Sequence, residues 1–415
     1  MKNEKLKIKN EGAKRYRHFT FYILHFALLV YIAGYSASFA QMSTTVTSQP
    51  GGPTQLQSNI GGISIGYIKV GTQEVTTLAW RPDFKFGPWA LGADVNLALG
   101  ENKPANYENA VLRYFEYDDT KKGLRYGVLE GVTMGHGLIM KNYSTRVGNQ
   151  VLLTNEQMGF KGYLDMDKYV VRGLATRSNI YALRVEERIN PLLTLGEYFV
   201  TDTTGRKITL AGGGTKDFPS VSAIGIDATV PLPANFEAYA EAGQILNWGG
   251  GLAAGISWAY DLMVANASFS SEYRILDKSF IPGYFGVDYE TNPVDLASAE
   301  ATGKPKNGYL AQLGVNALGL ASLNALYESY QDSNASLTAD LTAKISEQLS
   351  VKGYYKQPNF ADFRSLAFEQ GAILGADIFL KVNPYTTLIT HYKKAFDPYL
   401  GQVASTQYYE VALSF

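Results

Sequence analysis

Residues 89 to 99 alternate without a break. Trp89, Leu91, Ala93, Val95, Leu97 and Leu99 fall on one side of an extended chain, and Ala90, Gly92, Asp94, Asn96 and Ala98 on the other. Successive side chains of a strand point to opposite faces, so this segment has one face suited to oil and one to water. The rhythm returns with Phe236, Ala238, Ala240 and Ala242 against Glu237, Tyr239, Glu241 and Gly243, and again with Leu252 to Tyr260, Met263 to Glu272, Tyr309 to Ala317 and Leu337 to Ile345. Most of these runs are about ten residues, the length a tilted strand needs to cross a hydrocarbon layer, whereas globular strands average about five or six. That length is the constraint from which the rest follows.

The two ends of the chain agree with it. Tyr409, Val411, Leu413 and Phe415 share one face of a final amphipathic strand, with Tyr408, Glu410, Ala412 and Ser414 on the other, so the last residue itself looks structural. At the other end, Lys2, Lys5, Lys7, Lys9, Lys14, Arg15 and Arg17 precede the apolar run Phe19 to Ala33, and small residues follow in Ser38-Phe39-Ala40. We read residues 1–40 as a signal peptide cleaved after Ala40. A single membrane anchor is the competing reading, but spanning needs ~20 apolar residues and this run is shorter and holds His25. Residues 41–59, rich in Thr, Ser, Gln, Gly and Pro, are expected to form a flexible periplasmic leader, and residues 60–415 a single barrel domain.

Composition narrows the class. The chain has 37 basic and 38 acidic residues; without the seven basic and two acidic residues of the first 18, 30 face 36, an acidic balance that gives nucleic acid no purchase. Cysteine is absent, which removes disulfides, thiolate metal sites and a lipoprotein anchor together. Counts of 41 Gly, 29 Tyr and 20 Phe with slightly negative mean hydropathy suit a membrane barrel, where every second residue meets lipid and aromatic girdles mark the interfaces. A secreted sandwich or propeller shares that richness, and strand length decides against it.

Breaks in the alternation give topology. Tight connections are expected at Pro82-Asp83, 118–121, 165–167, 189–191, 231–234, Asp261, Gly319-Leu320, Glu347-Gln348 and Asn383-Pro384. Longer polar breaks fall at 100–106, 133–155, 202–219, 274–306, 360–370 and 397–405. The fold expected is all-β: a transmembrane antiparallel up-and-down β-barrel of about 20 strands, within a range of roughly 16 to 20.

With the signal, the alternation, the short and long connections and the Phe415 terminus in hand, the mature chain resembles a Gram-negative outer-membrane β-barrel, most similar in style to porins. The resemblance implies export through the periplasm to the outer membrane, ion and solute transport, and contact with outer-membrane lipid. It makes Tyr409, Val411, Leu413 and Phe415 the signal for the barrel-assembly machinery. It also implies small hydrophilic solutes as cargo, and leaves a homotrimer open. The segment 133–155 resembles a porin constriction loop, although its apolar centre Leu138-Ile139-Met140 would equally suit another hairpin.

Catalysis has little to draw on. Beyond the signal there are two histidines, His136 and His391, and no Gly-x-Ser-x-Gly elbow accompanies them. Gly212-Gly213-Gly214 lacks the Lys-Ser/Thr ending of a phosphate loop. We therefore expect no enzyme, cofactor or metal. Asp94, Arg125, Arg172, Arg184, Arg188, Glu237, Glu241, Asp261 and Glu272 fall on water-facing positions and are the candidate pore-lining residues. The arginines belong to the first half and most of the acids to the second, an arrangement that makes either opposed charged walls or pairs between neighbouring strands. Passive diffusion is the function expected; a non-conducting structural or adhesive barrel is the alternative, and a lipid-modifying enzyme of the outer membrane a third.

Overall fold

A computed structural model describes residues 62–413 apart from segments at 71–72, 100–108, 146–156, 210–214, 263–264, 291–292, 318, 361–371 and 398–401. Residues 1–40 and 41–59, the expected signal peptide and leader, and Phe415 lie outside the described residues.

One antiparallel sheet of 21 segments dominates. Two of those segments, Gln73–Arg81 and Asp83–Phe86, both pair with Trp89–Leu99 and form one strand interrupted at Pro82, which leaves 20 strands. The first, Gly62–Val70, pairs with Gln73–Arg81 on one side and with the last, Gln402–Leu413, on the other. The sheet therefore closes into a ring. Closure leaves no edge, so the backbone groups of every wall strand find partners without water, as a chain crossing lipid requires. Among the described residues no helix is long and apolar enough to cross a membrane.

Pro82-Asp83 is thus not a turn. Proline cannot donate to the ladder, yet its carbonyl accepts from Ala93 N–H at 3.1 Å, and opposite Gly92/Ala93 the next strand, Asn109–Asp118, bulges at Arg113. The turn comes at Gly87-Pro88, where Gly87 has φ +58°. Likewise Asp261 lies inside the strand Gly249–Leu262. The remaining short connections fall within a few residues of their expected places, all at one end of the ring. The other end carries the long connections, but also short ones at 177–179, 246–248 and 331–334 that the sequence breaks did not reveal.

Cross-strand partners share a face, so register sorts the side chains. Leu183, Phe199, Ile224, Ile256, Phe269, Leu313, Leu341 and Ile378 are exposed and point outward. Glu197 shares that face, opposite Val185 and Ile226. At the short-turn end Trp89 packs on Tyr117 and Phe115, and Trp258 on Phe236 and Tyr260; at the other end Tyr273 packs on Tyr309. These are aromatic girdles of the kind that mark membrane interfaces.

Candidate functional site: a lumen with an inward plug

The best-buried part of the molecule is inside the ring. Strand Lys122–Val128 pairs directly with Met158–Asp165, so the chain between them leaves the wall. There Val132–Met134 and Met140–Tyr143 form a ladder of their own. The described part of 133–155, up to Thr145, is a small hairpin turned inward and adds no strand to the wall. Leu138, Ile139, Met140 and Tyr143 are at most 1% exposed. A second inward element comes from the connection 277–305: Phe280, Tyr284, Phe285 and Tyr289 are buried in the same cluster, and Lys141 N–H donates to Phe285 O at 3.2 Å. Wall residues Leu174, Ala182, Val200, Ala223, Ile245, Ala253 and Leu276 complete it. The first segment was singled out in the sequence; the second was read only as a long polar break, because its aromatics are scattered without strand or helix period.

The plug tip is fixed by polar contacts to the wall. Glu241 accepts from the backbone N–H of His136 at 3.0 Å and of Leu138 at 3.1 Å, and from the hydroxyl of Tyr198. The intervening chain turns through Gly135 and Gly137, at φ +63° and +94°, conformations that favour glycine. The His136 ring stacks on Tyr239 with centroids 3.9 Å apart and planes 13° off parallel, and its Nε2 lies 2.9 Å from Thr229 Oγ1. Burial holds the His136 pKa below the ordinary histidine value, against the field of Asp227. Above the tip, Glu290 accepts from Tyr143 and Ser178 and faces Arg206, while Asp202 accepts from Tyr289 at 2.9 Å. This second knot ties both inward elements to strand ends and to the hairpin Arg206–Thr209/Thr215–Phe218.

Register puts all nine sequence-selected polar residues on the face opposite the apolar belt. Their charges do not form two walls. Asp94 pairs with Arg113 at 3.0 Å, Arg125 with Glu116, and Arg172 with Glu186. Arg184 bridges Glu186 at 2.7 Å and Asp227, and Arg188 grips Asp165 with two bonds of 2.8 and 2.9 Å. Glu272 accepts from Tyr239 at 3.0 Å and from Arg274, which reaches on to Glu328 at 3.0 Å. Glu237 faces Ser257 at 3.5 Å, and Asp261 opposes Asn266 near the short-turn end. Thus Arg184 and Glu241 belong to one buried assembly around the plug tip, with Glu272 joined to it through Tyr239, while Asp94, Arg125, Arg188, Glu237 and Asp261 stand apart from it. Neighbouring strands offer the nearest counter-charge, and in a low-dielectric wall a nearby partner outweighs a distant field.

Sequence reading missed Arg113, Glu186, Tyr198, Asp227, Tyr239 and Arg274. Asp227 was within reach by parity, since Ile224 and Ile226 flank it on the outward face. Arg113 was not, because a register shift between Gly92 and Ala93 breaks the period there.

A closed ring, oily outside and charged inside, with a loop turned inward, decides the class. The chain is a closed antiparallel β-barrel with an inward plug.

No family model matches the sequence, and no curated protein does. Among solved structures, a BenF-like porin from Pseudomonas fluorescens Pf-5 is similar at 11% identity and a TM-score of 0.40, over 86% of this chain and 97% of that one. OccK11 (OpdR) of Pseudomonas aeruginosa is similar at 10% identity and 0.39, over 89% and 99%. Wzi of Escherichia coli, an outer-membrane protein involved in group 1 capsule assembly and a carbohydrate-binding β-barrel, is similar at 11% and 0.38, over 86% and 85%. The barrel architecture stands on the strand pairings themselves.

Proposed function

We propose that this chain is an outer-membrane porin through which small hydrophilic solutes diffuse passively along a passage beside the plug. The observation that carries the reading is the one-sided packing of that plug. Among the described residues, the fully buried wall members of its core run only from strand Tyr169–Thr176 round to Ala265–Leu276. Across the lumen, the inward positions Asp340, Lys352, Tyr354, Lys356 and Lys393 are half-buried rather than sealed. A wall of partly exposed charged and hydroxyl groups suits water and polar solutes, and the paired charges elsewhere hold the frame. Barrel-assembly machinery and outer-membrane lipid are the partners this reading supplies, and a homotrimer is compatible with it.

Reconstitution in planar lipid bilayers tests the proposal. Discrete, steady current steps support it; silence at high protein density supports a plugged structural barrel, since the apolar core already fills part of the lumen. His391 holds the Asp377 carboxylate on Nδ1 at 2.8 Å, whereas at His136 the geometry for an enzyme is poor. His136 presents the same nitrogen, Nε2, to Thr229 and, at 3.9 Å, to Asp227, whereas a catalytic triad needs the carboxylate on Nδ1.

A further inference from the structure

Resting on the porin reading, we infer that Asp288 and Lys356 form the charge filter of the passage, one on the plug and one on the wall that the plug's apolar core does not reach. Successive residues of the second inward element point to opposite sides of the lumen. Tyr289 is buried and donates to Asp202 on strand Leu193–Asp202. Asp288 reaches the other way and meets Lys356 Nζ at 2.9 Å, on strand Leu349–Phe360 well round the ring. Lys356 faces inward, since it shares parity with Asp340, Tyr354 and Lys352 while Leu341 and Ile378 take the lipid side.

The exposure of this pair sets it apart from the other plug contacts. Its side chains are 56% and 40% exposed, whereas those of the Arg184–Asp227 pair behind the plug are 1–8% exposed. A solvated ion pair contributes little stability, and it exchanges readily with dissolved ions. The plug is already held by its apolar core, by Glu241 and by Glu290. Charges that stabilise so little, yet stand exposed where the plug reaches the far wall, act on what passes beside them.

The same wall carries a second cation two residues further along its inward face. Lys393 faces inward opposite Gly375, which itself pairs with Tyr354. Among the described residues Lys393 is within ion-pair distance of no carboxylate. Both lysines act with Asp288 on the passage, and the balance among them shifts the sign of the ions that pass. Removing Asp288 tips the balance toward anions, and removing Lys356 tips it toward cations.

Reversal potentials in a KCl gradient, measured on single channels, test the filter. Asp288→Asn is expected to raise the chloride-to-potassium permeability ratio about two-fold, and Lys356→Gln to lower it by a similar factor, because a single charge in a narrow passage changes the local ion concentration by that order. Asp167→Asn is the control: it removes an equal charge from an exposed pair with Lys121 at a short turn. Shifts of opposite sign at Asp288 and Lys356, with none at Asp167, support the filter. Conducting variants whose reversal potential stays at the parent value, or moves equally in Asp167→Asn, overturn it while leaving the porin reading intact. A parent protein that never conducts overturns both.

Discussion

The carboxylate of Glu241, on the barrel wall, accepts the backbone N–H of Leu138, at the tip of the plug, across 3.1 Å. Glu241 is 2% exposed, and the His136 N–H it also accepts is partly buried. Removing the acceptor strands donors in a place that water reaches poorly.

Glu241→Ala is therefore expected to loosen the plug tip, since each buried donor left without a partner costs about 1–3 kcal/mol. Single-channel recordings should show larger or noisier steps, and hydrogen exchange at residues 135–140 should accelerate. Exchange at the parental rate would mean the apolar core alone holds the tip.

Arg184 and Asp227 predict a different asymmetry. Both side chains are buried, so Arg184→Ala leaves a buried carboxylate short of its main partner and should cost about 3–5 kcal/mol. Replacing both by apolar residues of similar volume should recover much of that loss. The midpoint of the heat-induced shift in electrophoretic mobility reads both variants.

Acid should release the tip through His136. Burial lowers its folded pKa below the unfolded value, so the neutral ring is the one the folded state prefers. The contribution is fully present above the ordinary histidine pKa and is lost as pH falls through the depressed folded value. Exchange at the tip, followed from neutral pH downward, should accelerate in that acidic window for the parent and less so for His136→Phe, which keeps a ring on Tyr239 but carries no proton to gain. Glu241, Asp227 and Glu272 face the same site, so the residual dependence in the variant measures their share.

Lipid contact is tested on the outer face. Leu313 is exposed near the middle of Lys306–Ala317, opposite Phe269 and Ala325. Leu313→Arg should destabilise the barrel by about 2–4 kcal/mol, the cost of a basic side chain at mid-bilayer. Reversible denaturation in lipid vesicles measures it, and an unchanged free energy would remove Leu313 from the lipid-facing belt.

The wall was legible because its signal is local. Parity alone assigns Trp89 to Leu99, and the ladder keeps that parity through strand after strand. Interruptions were harder: Pro82 reads as a turn, yet a bulge and the Arg113 guanidinium, paired with Asp83 at 2.7 Å and Asp94 at 3.0 Å, carry the strand past it. Asp94 and Glu241 were both marked as water-facing, but what each faces depends on a residue far away in sequence. No period in the chain announces that Leu138 will meet Glu241 or that Asp288 will reach Lys356. Those contacts depend on how loops fold into a closed space, and that space exists only once the ring does.

The chain order of the plug has a consequence for biogenesis. Leu138, Ile139 and Met140 are made before Ala223, Glu241, Ala253 and Phe285, the groups that later receive them. A nascent chain thus carries its greasiest hairpin ahead of the socket meant for it, when stray hydrophobic contacts are most hazardous. Seating that hairpin belongs to the closing moments of maturation, after insertion has supplied the strand that bears Glu241.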